Sequence, residues 1–191
     1  DAMHSEDGPE TFRLISVLYI GLASAGAVAL AAASPWIFRW FTSPEFQDGW
    51  PVTVVLGWQS VFYGFFLIAS AGIWRAEKTY LNLYLMAGAA VFGVVMNILL
   101  VPIFAGLGAA FATAVTYFFW IIVTLIVSEK NWKVDFPITV LGFQILLGSL
   151  FCFVMLNANL QNNIVLLALS ASVVIGIQLG LSLKVARASE G

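Results

Sequence analysis

The sequence predicts an all-α fold: a polytopic membrane helix bundle of about six transmembrane helices, with both termini on the cytoplasmic side. Three observations predict it. Hydrophobic residues make up 61% of the 191 and charged residues only 9%, against about 45–50% and about 25% in soluble domains. Six apolar stretches each come near the roughly 20 residues that a helix needs to cross a hydrocarbon core of about 30 Å. The cations, finally, fall almost entirely on one side of a six-helix arrangement. A chain this apolar has too few polar groups to cover its surface in water, so its solvent is lipid.

The elements follow in order. Residues 1–11 form a polar tail. The apolar runs are Phe12–Ala33, Val52–Ile73, Tyr80–Phe104, Gly106–Val127, Ile138–Leu156 and Ile164–Leu183. Residues 12–184 make one transmembrane lobe, and 185–191 a second polar tail. No run holds Asp, Glu, Lys or Arg beyond its very ends. Backbone groups in lipid must be satisfied within the segment, so the runs are expected to be helices. Strands of a membrane barrel would alternate apolar and polar residues over about ten positions, and these do not alternate.

The links are short, which makes neighbours antiparallel. Trp74–Thr79 carries Arg75, Glu77 and Lys78; Ser128–Pro137 carries Glu129, Lys130, Lys133 and Asp135; Asn157–Asn163 is amide-rich. The link from Phe104 to Gly106 forces a tight hairpin, for which Pro102, Gly106 and Gly108 supply the backbone permissions. The longest link, Ser34–Pro51, reads SPWIFRWFTSPEFQDGWP. Its Trp36, Trp40 and Trp50 suit the headgroup layer. It reads as a segment lying at the outer interface with a helical turn around Ile37–Phe41, or alternatively as a lid over an outward-facing cavity.

With the N-terminus inside, Arg13, Arg75, Lys78, Lys130, Lys133, Lys184 and Arg187 all fall on the cytoplasmic side and only Arg39 outside. Adding or removing one helix would scramble this asymmetry, so it checks the helix count. The net charge of −2 says little about partners by comparison.

Several functions lose their chemistry at this stage. Cys152 is the only cysteine, so no intrachain disulfide or thiolate metal site is expected. His4 is the only histidine and lies in the N-terminal tail, which leaves no histidine-based metal cluster or catalytic dyad. No cofactor is expected. Acyl or glycosyl transfer needs a base or a charged cluster near the interface, and Glu129 and Asp135 read as solvated loop charges, so no enzyme is expected. No basic surface supports nucleic-acid binding. The chain starts at Asp1 with no secretory signal and reads as a piece of a longer or processed chain.

Helices in lipid pack closely through small residues. Gly21, Ala25, Ala29 and Ala33 recur four apart in the first helix, Ala89, Gly93 and Asn97 in the third, Gly106, Ala110 and Ala114 in the fourth, and Gly176 and Gly180 in the last. These read as packing stripes, or as sliding contacts of a transporter. Polar residues at membrane depth are Gln59, Tyr63, Asn97, Thr113, Thr116, Tyr117, Gln144 and Gln178. Asn97 stands five residues before Pro102, whose ring removes a helix hydrogen bond. Its amide is expected to serve a carbonyl freed there, or to line a cavity.

Residues 97–117 read NILLVPIFAGLGAAFATAVTY. An Asn, an apolar run, Pro, then Gly-x-Gly-Ala-Ala-x-Ala-Thr resembles the pattern of polysaccharide and lipid-linked oligosaccharide flippases, in the multidrug/oligosaccharidyl-lipid/polysaccharide exporter superfamily. The motif falls on Asn97, Pro102, Gly106, Gly108, Ala109, Ala110 and Thr113. Upstream, SPWIF…SPEF looks like that family's helix-end segment, and Ala71-Gly72-Ile73 with Lys78-Thr79 looks like its next cytoplasmic turn. The resemblance covers about Phe12 to Val127; the last two helices carry no matching motif. It implies the C-terminal lobe of a plasma-membrane transporter, partnered by an N-terminal lobe of the same protein and by membrane lipid. The implied activity moves a lipid-linked glycan across the membrane by alternating access. Asn97, Gln59, Tyr63, Thr113, Tyr117, Arg75 and Lys78 are then the candidate substrate-binding residues. A pyrophosphate-linked sugar needs cations and an ion-coupled exporter an intramembrane carboxylate; this chain has neither at membrane depth, so both roles fall to the other lobe. A multidrug exporter of the same superfamily, which would want acidic cavity residues, and a non-transporting scaffold subunit are the competing readings.

Overall fold

The computed structural model describes residue 5, residues 7–157 and residues 163–188. His4, most of the Asn157–Asn163 link and the end of the C-terminal tail lie outside the described residues. Long helices account for almost everything else: α1 (Gly8–Phe41), α2 (Trp50–Ala69), α3 (Ala71–Arg75), α4 (Tyr80–Asn131), α5 (Ile138–Asn157) and α6 (Ile164–Ala188), with a 3₁₀ segment at Pro44–Gly49. Five of these stretches are long and apolar enough to span a bilayer. This is a multi-pass membrane protein.

The helix α4 has 52 residues; a straight helix of that length would run about 78 Å, more than twice a hydrocarbon core. It folds back at Ala105, whose φ of 48° and ψ of −125° are not helical. The rings of Phe92 and Phe119 stack with centroids 4.4 Å apart, so the legs 80–104 and 106–131 are antiparallel. The hairpin is as expected, and it brings the passes among the described residues to six. The turning residue is not the expected one. Ala105, not Gly106, takes the positive φ, and no described glycine has one. Gly108 contributes differently: a Cβ there would run into the Leu100 backbone, so its missing side chain lets the legs close.

The Ser34–Pro51 link is a second correction. α1 runs through Pro35 as far as Phe41 before the chain leaves helical geometry at Thr42. The break expected at Ser34 is absent for an identifiable reason. Pro35 has no N–H for the carbonyl of Ala31, four residues back. The buried Ser34 hydroxyl donates to that same oxygen at 2.8 Å, so the freed acceptor stays satisfied. Trp40 and Phe41 then stand 75% and 80% exposed at the helix end.

Two more ends differ from the expected bounds. The predicted run Val52–Ile73 splits at Ser70 into α2 and α3. α3 closes with the Lys78 N–H on the Ile73 carbonyl and the Glu77 N–H on the Trp74 carbonyl. That pairing is a helix-end motif whose left-handed residue is usually glycine; here it is Glu77, φ 57°. α6 continues into the predicted tail, through Ala188.

α1 is the central pillar, packing on α2, α5 and α6; the α4 hairpin packs on the far side of α2. Its core face carries Val17, Ile20, Val28 and Ala31, all at 0% exposure. The stripe Gly21, Ala25, Ala29, Ala33 does not stay on one face: the first two are buried and the last two exposed. Steps of four advance 40° around a 3.6-residue helix, so the stripe drifts about 120° over three steps. Gly21 marks the closest approach, with Ser182 of α6 where its Cβ would be. Gly176 and Gly180 pack on nothing among the described residues; both face outward, and a Cβ at either position would meet no atom within 4 Å.

The candidate substrate region

One end of the bundle gathers the cations. The Arg75 guanidinium lies 4.5 Å over the Trp132 ring, the Phe12 ring meets Trp132 edge-on at 5.4 Å, and the Lys78 ammonium donates to Asn131 Oδ1 at 2.9 Å. A hollow of about 500 Å³ at this end is lined by Glu10, Arg13, Asp135 and Val185 among others. Arg39 sits at the opposite end, beyond Phe38, which packs over Gly49. The loop after α4 wraps its own anion: the Glu129 carboxylate accepts from the N–H groups of Val134, Asp135 and Phe136 at 3.3–3.4 Å. Arg75 and Lys78 are therefore neighbours at this end of the bundle, each engaged by the segment that ends α4.

The other predicted substrate residues do not converge. Asn97 is half-buried on the first hairpin leg and donates to the Gly93 carbonyl at 2.9 Å. That is more than a full turn before the carbonyl that Pro102 frees, which is Ile98's, so the expected repair of the proline break is not made. Thr113 donates to the Ala109 carbonyl at 2.8 Å on its own leg. Tyr63 and Tyr117 do meet, with ring centroids 6.2 Å apart, and join Phe66 and Trp120 in an aromatic cluster over Ala89. Gln59 is half-buried on α2. In the family-like motif Gly108 and Ala110 are buried in the hairpin, Ala109 is half-buried, and Pro102 and Gly106 are exposed near its tip. The motif's visible work here is to close a hairpin.

Two features that residue-by-residue reading missed stand out. The first is a lateral cleft. α5 packs on α1, the hairpin packs on α2, and the second hairpin leg and α5 make no substantial contact with each other. The gap is a cavity of about 660 Å³. Phe111, Val115 and Phe118 form one wall, Leu146, Leu150 and Phe153 the other, and Trp58 and Phe62 of α2 the floor. These wall residues are exposed.

The second feature is an amide clasp near mid-bundle. Gln144 on α5 and Gln178 on α6 are both 0% exposed. Gln144 Nε2 donates to the Gln178 carbonyl at 3.3 Å and to Ser182 Oγ at 2.9 Å; Gln178 Nε2 donates to the Gln144 carbonyl at 3.1 Å. The Ser182 hydroxyl lies 3.2 Å from the Val17 carbonyl, tying the pair to α1. A signal for this is present in the sequence. The midpoint between positions 144 and 178 falls within the link between the two helices, so an antiparallel hairpin places them opposite each other. Both side-chain oxygens, Gln144 Oε1 and Gln178 Oε1, are buried without a hydrogen-bond partner; a buried acceptor so placed costs about 1–3 kcal/mol.

Among the described residues no group of three His, Cys, Asp or Glu is placed to hold a metal. Comparison with protein-family models, with curated proteins and with solved structures matches nothing to this chain.

Proposed function

We propose that the chain is one lobe of a plasma-membrane transporter that flips lipid-linked oligosaccharide or polysaccharide precursors by alternating access, partnered by an N-terminal lobe of the same protein. The observation that carries this reading is the lateral cleft. It is apolar on both walls, open at the surface of the bundle, and at about 660 Å³ has room for a length of hydrocarbon chain. A lipid carrier could enter it without its chain leaving an apolar medium. The Gly-x-Gly-Ala-Ala hairpin that resembles the flippase family forms one side of it. Arg75 and Lys78, at the cation-bearing end of the bundle, are the residues proposed to meet the anionic head group. A cationic-drug exporter is less well supported, because no acidic side chain lies at membrane depth.

A scaffold or assembly subunit is favoured by one specific observation, the outward-facing Gly176 and Gly180 on α6, a spacing that lets two helices approach closely. The two readings separate in one experiment. The gene is deleted in its source organism and the leaflet in which lipid-linked glycan accumulates is measured. The full-length protein is then returned as wild type or with the cleft filled by Ala114→Trp or Ser149→Trp. Accumulation on the cytoplasmic leaflet, reversed by wild type but not by the filled variants, is expected. An unchanged leaflet distribution sinks the flippase reading and leaves the scaffold.

A further inference from the structure

The hollow of about 500 Å³ at the cation-bearing end plays no part in the transport reading, and three segments build it. Glu10, Arg13 and Leu14 come from the first turns of α1, Val134 and Asp135 from the link after α4, and Val185 from α6. Leu14 and Val185 stand at one level. α1 and α6 are the first and last of six passes and so run antiparallel, and the Ser182 hydroxyl lies on the Val17 carbonyl; three residues further towards the end of the bundle on each helix are Leu14 and Val185. Asp135 is fixed at the hollow by its own loop. Val134 and Phe136 on either side of it are buried, and the N–H groups of all three hold the Glu129 carboxylate. That wrap goes with a φ of 54° at Asp135 and leaves the residue exposed. Glu10 and Arg13 are exposed as well, and stand three apart on one face of α1, a spacing that permits an ion pair. Among the described residues, the side chains of Glu10, Arg13 and Asp135 form no ion pair. One cation and two carboxylates thus line a single cavity with their charges uncommitted.

We propose that this hollow binds a phosphoethanolamine zwitterion, the headgroup chemistry of an ethanolamine phospholipid, with its phosphate on Arg13 and its primary ammonium on Glu10 and Asp135. A purely anionic group would meet two carboxylates for one guanidinium, and a purely cationic one would meet the guanidinium; a group that carries both charges satisfies both kinds of partner. The ammonium has three N–H donors for the carboxylates to accept. A quaternary choline has none and is held instead by aromatic faces, and no described aromatic residue lines the hollow. The place suits a lipid. Arg13 stands at the start of the first apolar run, where long cations reach into the headgroup layer, and Leu14 and Val185 offer apolar contact beside it. Neither Arg75 nor Lys78 lines the hollow, so the site uses none of the residues proposed to meet a transported head group and does not depend on what the cleft carries.

The test is native mass spectrometry of the full-length protein in a mild detergent, with equal amounts of phosphatidylethanolamine, phosphatidylcholine and phosphatidylglycerol of the same acyl chains. A second arm offers free phosphoethanolamine against free phosphocholine. The ethanolamine compound is expected to exceed its choline counterpart by about two- to fivefold, the range for exposed ion pairs. Glu10→Gln/Asp135→Asn is expected to erase that preference, Arg13→Gln to weaken the ethanolamine adduct, and Arg13→Lys to retain it. A variant-sensitive preference in the lipid arm alone assigns the zwitterion to the membrane, and one in the free arm assigns it to solution; either supports the site. Should one neutral variant unfold, the other decides, since Arg13 and Asp135 lie on different segments. No preference over choline in either arm, or a preference that survives the neutral variants, overturns the proposal. So does a phosphatidylglycerol adduct that exceeds the ethanolamine one and grows when Glu10 and Asp135 are neutralised, which would mark a plain anion site.

Discussion

Replacing Ala105 by glycine should stabilise the protein. Ala105 holds φ 48°, ψ −125° at the tip of the α4 hairpin, a backbone region that glycine enters freely and a residue with a Cβ does not. Strain of this kind costs roughly 1–3 kcal/mol. Removing the Cβ relieves it, and the extra freedom of glycine in the unfolded chain takes back about 0.4–1 kcal/mol. The side chain itself contributes little, since Ala105 is exposed. The net expectation is about 0.5–2 kcal/mol of stabilisation. At about 2–4 °C per kcal/mol for chains of this size, Tm rises by roughly 1–8 °C. The assay is thermal unfolding in a mild detergent, followed by tryptophan fluorescence and by loss of the monodisperse peak on size exclusion. Two controls fix the cause. Ala105→Val, β-branched at a positive φ, should lower Tm. Gly106→Ala should change it little, since only Val52 Cγ2, at 4.0 Å, lies near the new methyl. A lower Tm for Ala105→Gly, or a larger loss for Gly106→Ala than for Ala105→Val, would place the turn on Gly106 and refute the reasoning.

Ser34→Ala should destabilise by about 1–2 kcal/mol, because it leaves the Ala31 carbonyl buried beside a proline that cannot donate; in the Ser34→Ala/Pro35→Ala double variant the restored N–H should recover most of the loss, and a thermal cycle showing simple additivity would contradict the pairing. Gly108→Val should abolish the monodisperse folded species, since the added Cβ meets the Leu100 backbone, whereas Ala109→Gly, on the same turn, should lower Tm by only about 1 kcal/mol equivalent.

The membrane bundle and the hairpin are legible in the sequence because both are dictated by gross physics: lipid demands helices of a set length, and a one-residue link between two such helices leaves only a reversal. What is not legible turns on single atoms. Pro35 signals a helix end in sequence, and only the placement of the Ser34 hydroxyl on the Ala31 carbonyl shows why the helix goes on. Asn97 stands near Pro102 in sequence, yet its amide reaches Gly93 because a side chain on a helix leans towards the N-terminus, away from Pro102. The proximity of Arg75 and Lys78 is legible, since both lie on one short loop. Gln144 and Gln178 read as two among eight polar residues; their pairing needs the register of α5 against α6. The cleft is invisible for another reason. It is made by two segments that fail to touch, and apolar periodicity marks lipid-facing and groove-facing positions alike.

The distribution of polar contacts divides the molecule along that cleft. On α1 the buried hydroxyls of Ser16, Ser24 and Ser34 all donate to their own helix, to Arg13, Ile20 and Ala31. Those serines make no polar commitment to neighbouring helices; the Tyr19 hydroxyl does, donating to the Ser60 and Val61 carbonyls of α2 at 3.2 and 3.3 Å. α5 and α6, by contrast, are joined to each other by reciprocal amide bonds and to α1 by Ser182 alone among these groups. On the other side, the hairpin and α2 are joined by aromatic stacking, with Phe66 and Trp120 at 4.1 Å, and the hairpin is tied to α3 by the Gly72 N–H on Ser128 Oγ at 3.0 Å. Two separately tied groups thus flank one pillar, and the cleft runs between them. Across the cleft α2 and α5 meet through packing and the Trp58–Cys152 side-chain contact, so a chain that widened it would loosen that contact and leave the Gln144–Gln178 and Gly72–Ser128 ties intact.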